Sequence, residues 1–319
     1  MAKYTFVVPI YNDGYLAAKF CEVFSQVMKS YLVCEDIADL VELIFVNDGS
    51  TDDSQERLTA LSQSIRFVRI VEFSRNFGHH IAVTCGYGFA RGDFVGLINV
   101  DMQDPPDQIP LLLDYLRNSD CDLVIGSRPA RKDGFITKRS SRAFFATMNF
   151  LTNSRRPTNL AVLRVMTRRF VDTYNRFSEH RPYVNGIEEW LGFKAGYVAI
   201  THKPRATGKS SYTLFKKFRL AFDAILSFSD LPLKLTAGFG LLCSVVGFAL
   251  CSYLIVARML SSAFQPGFTA TVSIVVFLGG VQILSIGLLS LYVGRILQEV
   301  QNRPRYVIKS TTNLSAPDR

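Results

Sequence analysis

Two long stretches in the last third of the chain contain no charged residue. Leu235–Ala257 is 23 residues long, and Thr269–Gly294 is 26 residues long. About 20 apolar residues cross a bilayer as one helix. The sequence therefore predicts two transmembrane helices within 233–296, at about 235–257 and 269–294. The alternative, two helices buried in a soluble core, fits poorly because core helices of this length rarely lack any charge.

Basic residues indicate how the two predicted helices are oriented. Ten Lys and Arg residues flank their outer ends, whereas the connecting loop carries only Arg258. Because cytoplasmic segments carry an excess of Lys and Arg, both termini are predicted to be cytoplasmic. Met1–Asn12 has the pattern of a first β-strand rather than that of a signal peptide. We expect a cytoplasmic domain, a juxtamembrane amphipathic segment, two transmembrane helices and a cytoplasmic tail, at 1–207, 208–232, 233–296 and 297–319.

The juxtamembrane segment has the pattern of an interfacial helix. Leu214–Phe228 places apolar residues at helical spacing, and Lys216, Lys217 and Arg219 fall off that face. A helix packed on the soluble domain is the alternative interpretation. Basic residues here suit an anionic leaflet or lipid headgroup. The net charge of +9 therefore requires no nucleic-acid partner, and the sequence contains no nucleic-acid-binding motif.

The first part of the chain alternates predicted strands with predicted helices. Such alternation predicts an α/β fold with a mostly parallel sheet and helices on both faces. Neither a G-x-G-x-x-G motif nor a P-loop is present, which argues against a dinucleotide oxidoreductase or a P-loop NTPase. Six cysteines without a C-x-x-C pair argue against a disulfide scaffold or a zinc site. The predicted strands are Tyr4–Pro9, Val41–Val46, Phe67–Phe73, Phe94–Asn99 and Cys121–Ser127.

Polar clusters follow four of these strands, where ligands bind in such sheets. Asp13 and Asp48 are placed to accept hydrogen bonds from a base N–H or a ribose hydroxyl. In N-D-G-S, Asp48 is equally consistent with a simple turn residue. We predict a nucleotide-diphosphate site formed by 11–13, 47–50, 74–76 and 101–104.

The fourth cluster has the composition of a site for a hard divalent cation. Asp101 and Gln103 offer oxygen ligands two residues apart, on one side of an expected extended segment. Mg²⁺ and Mn²⁺ take one or two protein oxygens together with phosphate oxygens. Such an ion would neutralise charge on a departing diphosphate. Asp104 is equally consistent with capping a helix that begins near Asp107.

Four motifs occur in a recognisable order: V-P-I-Y-N-D, V-N-D-G-S-T-D-D-S, S-R-N-F-G-H-H and N-V-D-M-Q-D-P-P. Followed by two predicted membrane spans and R-P-R-Y, they closely resemble the polyprenyl-phosphate glycosyltransferases, from Thr5 to about Lys309. These are inverting family-2 enzymes with a GT-A fold, such as bactoprenol-phosphate glucosyltransferases and dolichol-phosphate mannose synthase. The resemblance implies a hexosyltransferase that moves a sugar from a nucleotide sugar to a membrane polyprenyl phosphate for surface glycans.

The resemblance also implies roles for matched residues. The nucleotide-sugar pocket corresponds to Pro9, Tyr11, Asn12, Asp13, Asp48, Asn99 and Asp101, although the family usually has Glu at position 13. The metal ligands correspond to Asp101 and Gln103, which together with Arg128 form the implied catalytic set. The acceptor phosphate corresponds to Arg128, Arg142, Arg205 and Lys209. Arginine suits phosphate because its planar fork makes two hydrogen bonds at once.

The implied mechanism needs little acid–base chemistry. A phosphate monoester is anionic near neutral pH, so its oxygen can attack the anomeric carbon without a strong base. The enzyme mainly aligns donor and acceptor and screens their repulsion. The resemblance implies Mg²⁺ or Mn²⁺ as cofactor. It also implies a UDP- or GDP-sugar, a polyprenyl phosphate and the bilayer, in bacteria the inner membrane, as partners. A flippase partner and a homo-oligomer are compatible with it.

Three family acidic positions are neutral in this chain, at Asn99, Val162 and Leu291. A divergent branch with a different donor or acceptor is one explanation, and we favour it because Asp101, Gln103 and several arginines are retained. A catalytically degenerate membrane partner of another transferase or of a flippase is the second. A glycosyltransferase acting on a glycan hydroxyl is a further alternative, but it would need a general base. His79 and His80 do not share a helical face, so we interpret them as capping and packing residues near the donor pocket rather than as a metal pair.

Overall fold

The computed structural model describes residues 2–128, 157, 159–201, 231–260 and 267–314. These residues form two compact units. The first contains the described residues up to 201 and from 303 onward, and the second contains those from 231 to 302. The predicted amphipathic helix at 214–228 lies outside the described residues.

The first unit contains eight strands and six α-helices among its described residues. All five predicted strands are present, with ends that differ from prediction by at most two residues. In chain order the elements are β1 Tyr4–Ile10, α1 Ala17–Leu32, β2 Val41–Asn47, α2 Ser54–Ser64, β3 Val68–Phe73, α3 His79–Phe89, β4 Phe94–Leu97, α4 Ile109–Asn118, β5 Leu123–Ser127, β6 Leu160–Thr167, α5 Arg168–Tyr174, α6 Val184–Trp190, β7 Ala195–Ala199 and β8 Ile308–Thr312.

The strands form one sheet in the order β7-β5-β6-β4-β1-β2-β3-β8. β1 is parallel to β2 and β4, and β2 is parallel to β3, whereas β6 runs antiparallel to both β4 and β5. The predicted mostly parallel sheet is confirmed. Its register places Ile10 beside Asn47 and Asn47 beside Glu72, so the loops after β1, β2 and β3 emerge at one edge.

Each face of the sheet is covered by helices, as predicted. β1 and β2 are buried along their whole length, which is typical of parallel strands covered on both sides. Phe6 and Phe45 pack on one side with Phe20 and Phe24 of α1. The opposite side packs against α3, α5 and α6. Cys21, Cys85 and Cys121 are buried free thiols within these layers.

The second unit contains two long helices, α7 Leu231–Leu260 and α8 Phe268–Val300, which contact each other. Both predicted transmembrane stretches lie within them. Among the described residues, only Leu278–Val300 is long and apolar enough to cross a membrane, while Thr236–Gly247 is a shorter apolar segment. This finding supports one of the two predicted spans, and the predicted two-helix hairpin is not supported by the described residues.

The chain returns to the sheet after α8. β8 pairs antiparallel with β3, and the Tyr306 ring stacks on Phe73 with 5.0 Å between ring centroids. The Glu72 carboxylate accepts hydrogen bonds from Lys309 Nζ at 2.6 Å and from Ser310 Oγ at 2.7 Å. The sequence predicts only a tail at 297–319, because a five-residue edge strand with polar side chains carries little pattern.

Candidate active site at the carboxyl edge of the sheet

Asn12 fixes the loop after β1 to the loop after β2. Its side-chain Oδ1 accepts a hydrogen bond from Thr51 N at 2.8 Å, and its backbone N–H donates to Ser50 Oγ at 2.9 Å. Asn12 has a φ of 57°, a left-handed conformation that Asn tolerates better than most residues. One residue beyond Asp13, Gly14 N donates to Ser54 Oγ at 2.9 Å. These contacts hold the N-D segment at a fixed place on the sheet edge.

Asp48 joins the loop after β2 to the loop after β3. Its Oδ1 accepts from Phe77 N at 2.7 Å, and its Oδ2 accepts from Gly78 N at 2.9 Å. Burial raises the pKa of Asp48, and the two backbone N–H groups oppose that rise. Asp48 therefore does more than shape its own turn, because its carboxylate organises the neighbouring loop.

The predicted nucleotide residues differ in their access to solvent. Tyr11 is 45% exposed and Asp13 is half-buried at the sheet edge. Pro9 is buried inside β1, and Asp48 is buried beneath the loops. Tyr11, Asn12 and Asp13 therefore lie at the surface, while Pro9 and Asp48 support it from below.

The segment after β4 forms a tight turn around Met102. Gln103 N donates to Asp101 Oδ1 at 3.2 Å, and Met102 has a φ of 53°. The expectation that Asp101 and Gln103 share one side of an extended segment is therefore wrong. A left-handed conformation costs a non-glycine residue about 1–2 kcal/mol, and the Met102 side chain packs against the core below the turn. Asn99, Asp101 and Gln103 are all half-buried here.

Asp104 binds Arg128 instead of capping a helix. Arg128 Nε and Nη2 donate to the two carboxylate oxygens at 3.0 and 2.9 Å, and Val162 N donates to Asp104 Oδ2 at 3.0 Å. Asp104 is almost fully buried, whereas the Arg128 side chain is 20% exposed. The helix-cap interpretation is wrong because these partners occupy the carboxylate, and α4 starts without a side-chain cap. Two of the five guanidinium N–H donors point to Asp104, and within the described part of the chain Nη1 has no hydrogen-bond partner.

A buried ion pair between Arg164 and Glu188 is linked through Val162 to the pair of Asp104 and Arg128. Arg164 Nη1 donates to Glu188 Oε2 at 2.6 Å and to Asn185 Oδ1 at 2.9 Å, while Nε donates to the Val162 carbonyl at 3.0 Å. Arg164 thereby fixes the start of β6, where Val162 N holds Asp104. Glu188 is not among the predicted site residues. Its signal is the helical spacing of Glu188 with Val184 and Ile187, which places the carboxylate on the buried face of α6.

His80 packs behind the loop after β3. Its ring lies edge-on to the ring of Tyr183, with 5.4 Å between centroids. Among the residues that the structure covers, His80 Nδ1 is buried without a hydrogen-bond partner. Burial, with a smaller contribution from the Arg164 charge, lowers the pKa of His80 to about 4. These features fit the packing interpretation of this histidine.

Three predicted acceptor-phosphate residues lie outside the described residues: Arg142, Arg205 and Lys209. Within the described part of the chain, no three His, Cys, Asp or Glu side chains form a cluster that could hold a metal ion. Asp101 is the carboxylate of the predicted metal set, and its companion Gln103 offers a neutral amide oxygen.

Comparison with known proteins identifies the family. Residues 5–174 match glycosyl transferase family 2, and this range contains every strand-end loop described above through Arg164. The chain belongs to glycosyl transferase family 2. The family match ends at α5, before α6, the two long helices and β8.

Full-length relatives of this family-2 glycosyltransferase extend the similarity to the rest of the chain. The SfII prophage-derived bactoprenol glucosyl transferase of Shigella flexneri is 31% identical over 310 residues, covering 97% of this chain and 98% of that protein. The uncharacterized glycosyltransferase YkcC of Bacillus subtilis is 32% identical over 310 residues, covering 97% and 94%. The crystal structure of glucosyl-3-phosphoglycerate synthase from Mycobacterium tuberculosis with Mn²⁺, UDP and glucosyl-3-phosphoglycerate has a TM-score of 0.47 at 18% identity, covering 70% of this chain and 78% of that one.

Proposed function

We propose that this family-2 enzyme, with a GT-A fold, transfers a sugar with inversion from a nucleotide-diphosphate sugar to a membrane polyprenyl phosphate. The product would feed the synthesis or modification of surface glycans. One observation carries the proposal on the structural side: a buried carboxylate holds the Arg128 guanidinium at the strand edge that also carries Asp101. A fixed, partly exposed guanidinium is a good phosphate-binding group. The end-to-end similarity to a bactoprenol glucosyl transferase supports the choice of acceptor.

The donor nucleotide is proposed to bind over the loops after β1, β2 and β3. Tyr11 offers an exposed aromatic ring, and Asn12 and Asp13 offer polar groups on a loop fixed by Ser50 and Thr51. Asp48 supports this surface by organising Phe77 and Gly78, and Asn99 and Asp101 border it after β4. A UDP- or GDP-linked sugar fits this assignment.

Asp101 and Gln103 fit Mg²⁺ or Mn²⁺ only where the diphosphate of the nucleotide sugar provides most of the metal ligands. Asp101 would bind the ion with its carboxylate and Gln103 with its amide oxygen, and such ions commonly use one or two carboxylates plus phosphates. When bound, the ion would neutralise charge on the departing diphosphate. Because Asn99 is neutral, the chain contributes one carboxylate to this site.

The acceptor is proposed to bind at Arg128, with Arg142, Arg205 and Lys209 as further contacts. An oxygen of the acceptor phosphate forms the new bond to the anomeric carbon as the bond to the nucleotide diphosphate breaks. That oxygen is already anionic, so the chain needs no general base. Its residues align the two anions and screen their repulsion.

We further propose that α7 and α8 form the membrane anchor. β1–β7 and β8 belong to one sheet, so any membrane crossings between residues 201 and 308 must be even in number. α8 contains a span of sufficient length, and the preceding 202–230 segment carries six Lys and Arg residues, too many to cross. The second crossing therefore falls to α7. The basic flanks put both termini in the cytoplasm, at the bacterial inner membrane.

A transfer assay tests this function. Detergent-solubilised protein is incubated with undecaprenyl phosphate, Mg²⁺ or Mn²⁺, and a panel of radiolabelled UDP- and GDP-sugars. We expect label in a mild-acid-labile, organic-extractable lipid, which Asp101→Ala abolishes and the exposed, neighbouring Asp107→Ala retains. Label found only on a glycan hydroxyl would overturn the proposed acceptor. Nucleotide binding without any transfer would indicate a degenerate membrane partner.

A further inference from the structure

Trp190, at the end of α6, is the only tryptophan of the chain and is 73% exposed. Its ring packs edge-on against Phe177, with 5.2 Å between ring centroids and an interplanar angle of 82°. A large aromatic side chain left this open loses most of the stabilisation that burial would give. Tryptophan is, however, enriched at membrane–water interfaces, where its apolar ring and polar N–H are both accommodated.

The loop that carries Phe177 is tied to the chain segment that follows α8. The Arg305 guanidinium donates a hydrogen bond to the Phe177 carbonyl oxygen. Arg305 lies five residues after Val300, the last residue of α8. The chain connection from this contact to α8 is therefore only five residues long.

Basic residues lie close in the chain to the two residues that Trp190 is linked to, Phe177 and Arg305. Arg176 and Arg181 flank Phe177, and both are exposed, as is Arg303 beside Arg305. The acidic residues of the same segments are the half-buried Glu179 and Glu189, the exposed Glu299, and Glu188, which pairs with Arg164. The Trp190 patch is defined as Arg176, Phe177, Arg181, Trp190, Arg303 and Arg305.

We propose that the Trp190 patch rests on the anionic cytoplasmic membrane surface, with the indole at headgroup level and the arginines on lipid phosphates. This inference rests on the proposed function, because it requires α8 to lie in the membrane. Two observations favour lipid as the occupant: the net positive charge of the patch and its short chain connection to α8. Each basic residue near an anionic surface contributes about 1 kcal/mol to attraction. The patch would thus be a second contact of the catalytic unit with the bilayer, besides the anchor.

The single tryptophan allows a direct test by fluorescence. The full chain is reconstituted in nanodiscs of phosphatidylcholine with or without phosphatidylglycerol, and its emission is quenched either by headgroup spin-labelled lipid or by acrylamide. With anionic lipid we expect blue-shifted emission, protection from acrylamide relative to detergent, and lipid quenching about twofold stronger than in neutral nanodiscs. Arg176→Gln with Arg181→Gln should remove the dependence on anionic lipid.

A relocated reporter provides the matched control. Leu111 on α4 is exposed and lies on the opposite sheet face from α6. In Trp190→Phe with Leu111→Trp, the new indole should be quenched by acrylamide and not by labelled lipid. Wild-type protein that behaves like this control would overturn the proposal, as would shielding of Trp190 that depends on protein concentration, which indicates a second copy.

The two proposals fail in different ways. A chain that enters nanodiscs and transfers sugar while Trp190 stays in water contradicts only the membrane contact of the Trp190 patch. A chain that does not enter nanodiscs contradicts the anchor itself.

Discussion

Asp104 and Arg128 form a two-point ion pair in which each carboxylate oxygen accepts one guanidinium hydrogen bond, at 3.0 and 2.9 Å. The pair joins the loop after β4 to the end of β5, and Val162 N adds a third bond from β6. Because the carboxylate is buried and the guanidinium is partly exposed, the charge presented at the sheet edge is that of the arginine. Its orientation is set before any ligand arrives.

The first prediction concerns this orientation. Asp104→Asn removes the charge but keeps the size, and it should destabilise the fold by about 2–3 kcal/mol because Arg128 loses its buried partner. Arg128→Lys should keep the charge but lose the fork, and we expect a higher KM for polyprenyl phosphate with little change in the KM for nucleotide sugar. Thermal unfolding and steady-state transfer kinetics check both. An unchanged acceptor KM in Arg128→Lys would exclude an acceptor role.

The second prediction concerns Arg164 and Glu188. Glu188→Gln should lower stability by about 3–5 kcal/mol, since it leaves a buried guanidinium without its countercharge. Glu189→Gln, at a less buried position of the same helix, should lower the Tm less. Replacing both partners, as Arg164→Met with Glu188→Leu, should recover stability but not transfer, because Val162 would lose its support. Equal Tm values for the two Gln variants would contradict this account.

Much of this architecture can be predicted from the sequence, because the pattern that indicates each strand lies within the strand itself. β1 and β2 are continuous apolar runs because both their faces are covered, and the polar residues that end them mark the sheet edge. Contacts between distant segments are not readable in that way. Asp104 and Val162 lie 58 positions apart. Nothing near Asp104 in the sequence indicates whether its carboxylate binds an arginine or caps a helix. The left-handed turn at Met102 and the position of β8 likewise depend on tertiary packing.

The third prediction concerns Gly49, which joins two loops of the proposed donor surface. It has a φ of 65°, and a Cβ there would lie 2.2 Å from the Arg75 carbonyl carbon. Gly49→Ala should therefore lower the free energy of unfolding by about 3 kcal/mol, since the backbone must shift in addition to the strain of its conformation. Gly192 has a φ of 67° but open space around its Cβ position, so Gly192→Ala should cost only about 1 kcal/mol.

Thermal unfolding and calorimetric titration with UDP and GDP separate the two glycine variants. Gly49→Ala should also weaken nucleotide binding, because the loops after β2 and β3 meet at this position. Gly192→Ala should bind nucleotide as the wild type does. Wild-type nucleotide affinity in a folded Gly49→Ala protein would move the donor site away from these loops.

The fourth prediction concerns acid stability and His80. Its folded-state pKa of about 4 lies below the ordinary value of 6.5, so between these values the unfolded chain binds a proton that the folded chain does not. Stability should therefore fall as pH decreases through this window, by up to about 2 kcal/mol between pH 6.5 and 5. His80→Gln should flatten the loss of Tm over this range. An identical pH profile in the variant would show that other groups cause the acid sensitivity.

The position of β8 also sets an order of events during synthesis. Residues 308–312 follow both long helices in the chain, and they cover the outer edge of β3. A growing chain that has not yet reached residue 308 contains β1–β7 and both long helices, but it carries an open strand edge of the kind that promotes aggregation. Completion of the sheet therefore waits until both long helices have been synthesised. A chain that stops before β8 leaves the edge of β3 open and is a natural target for proteolysis.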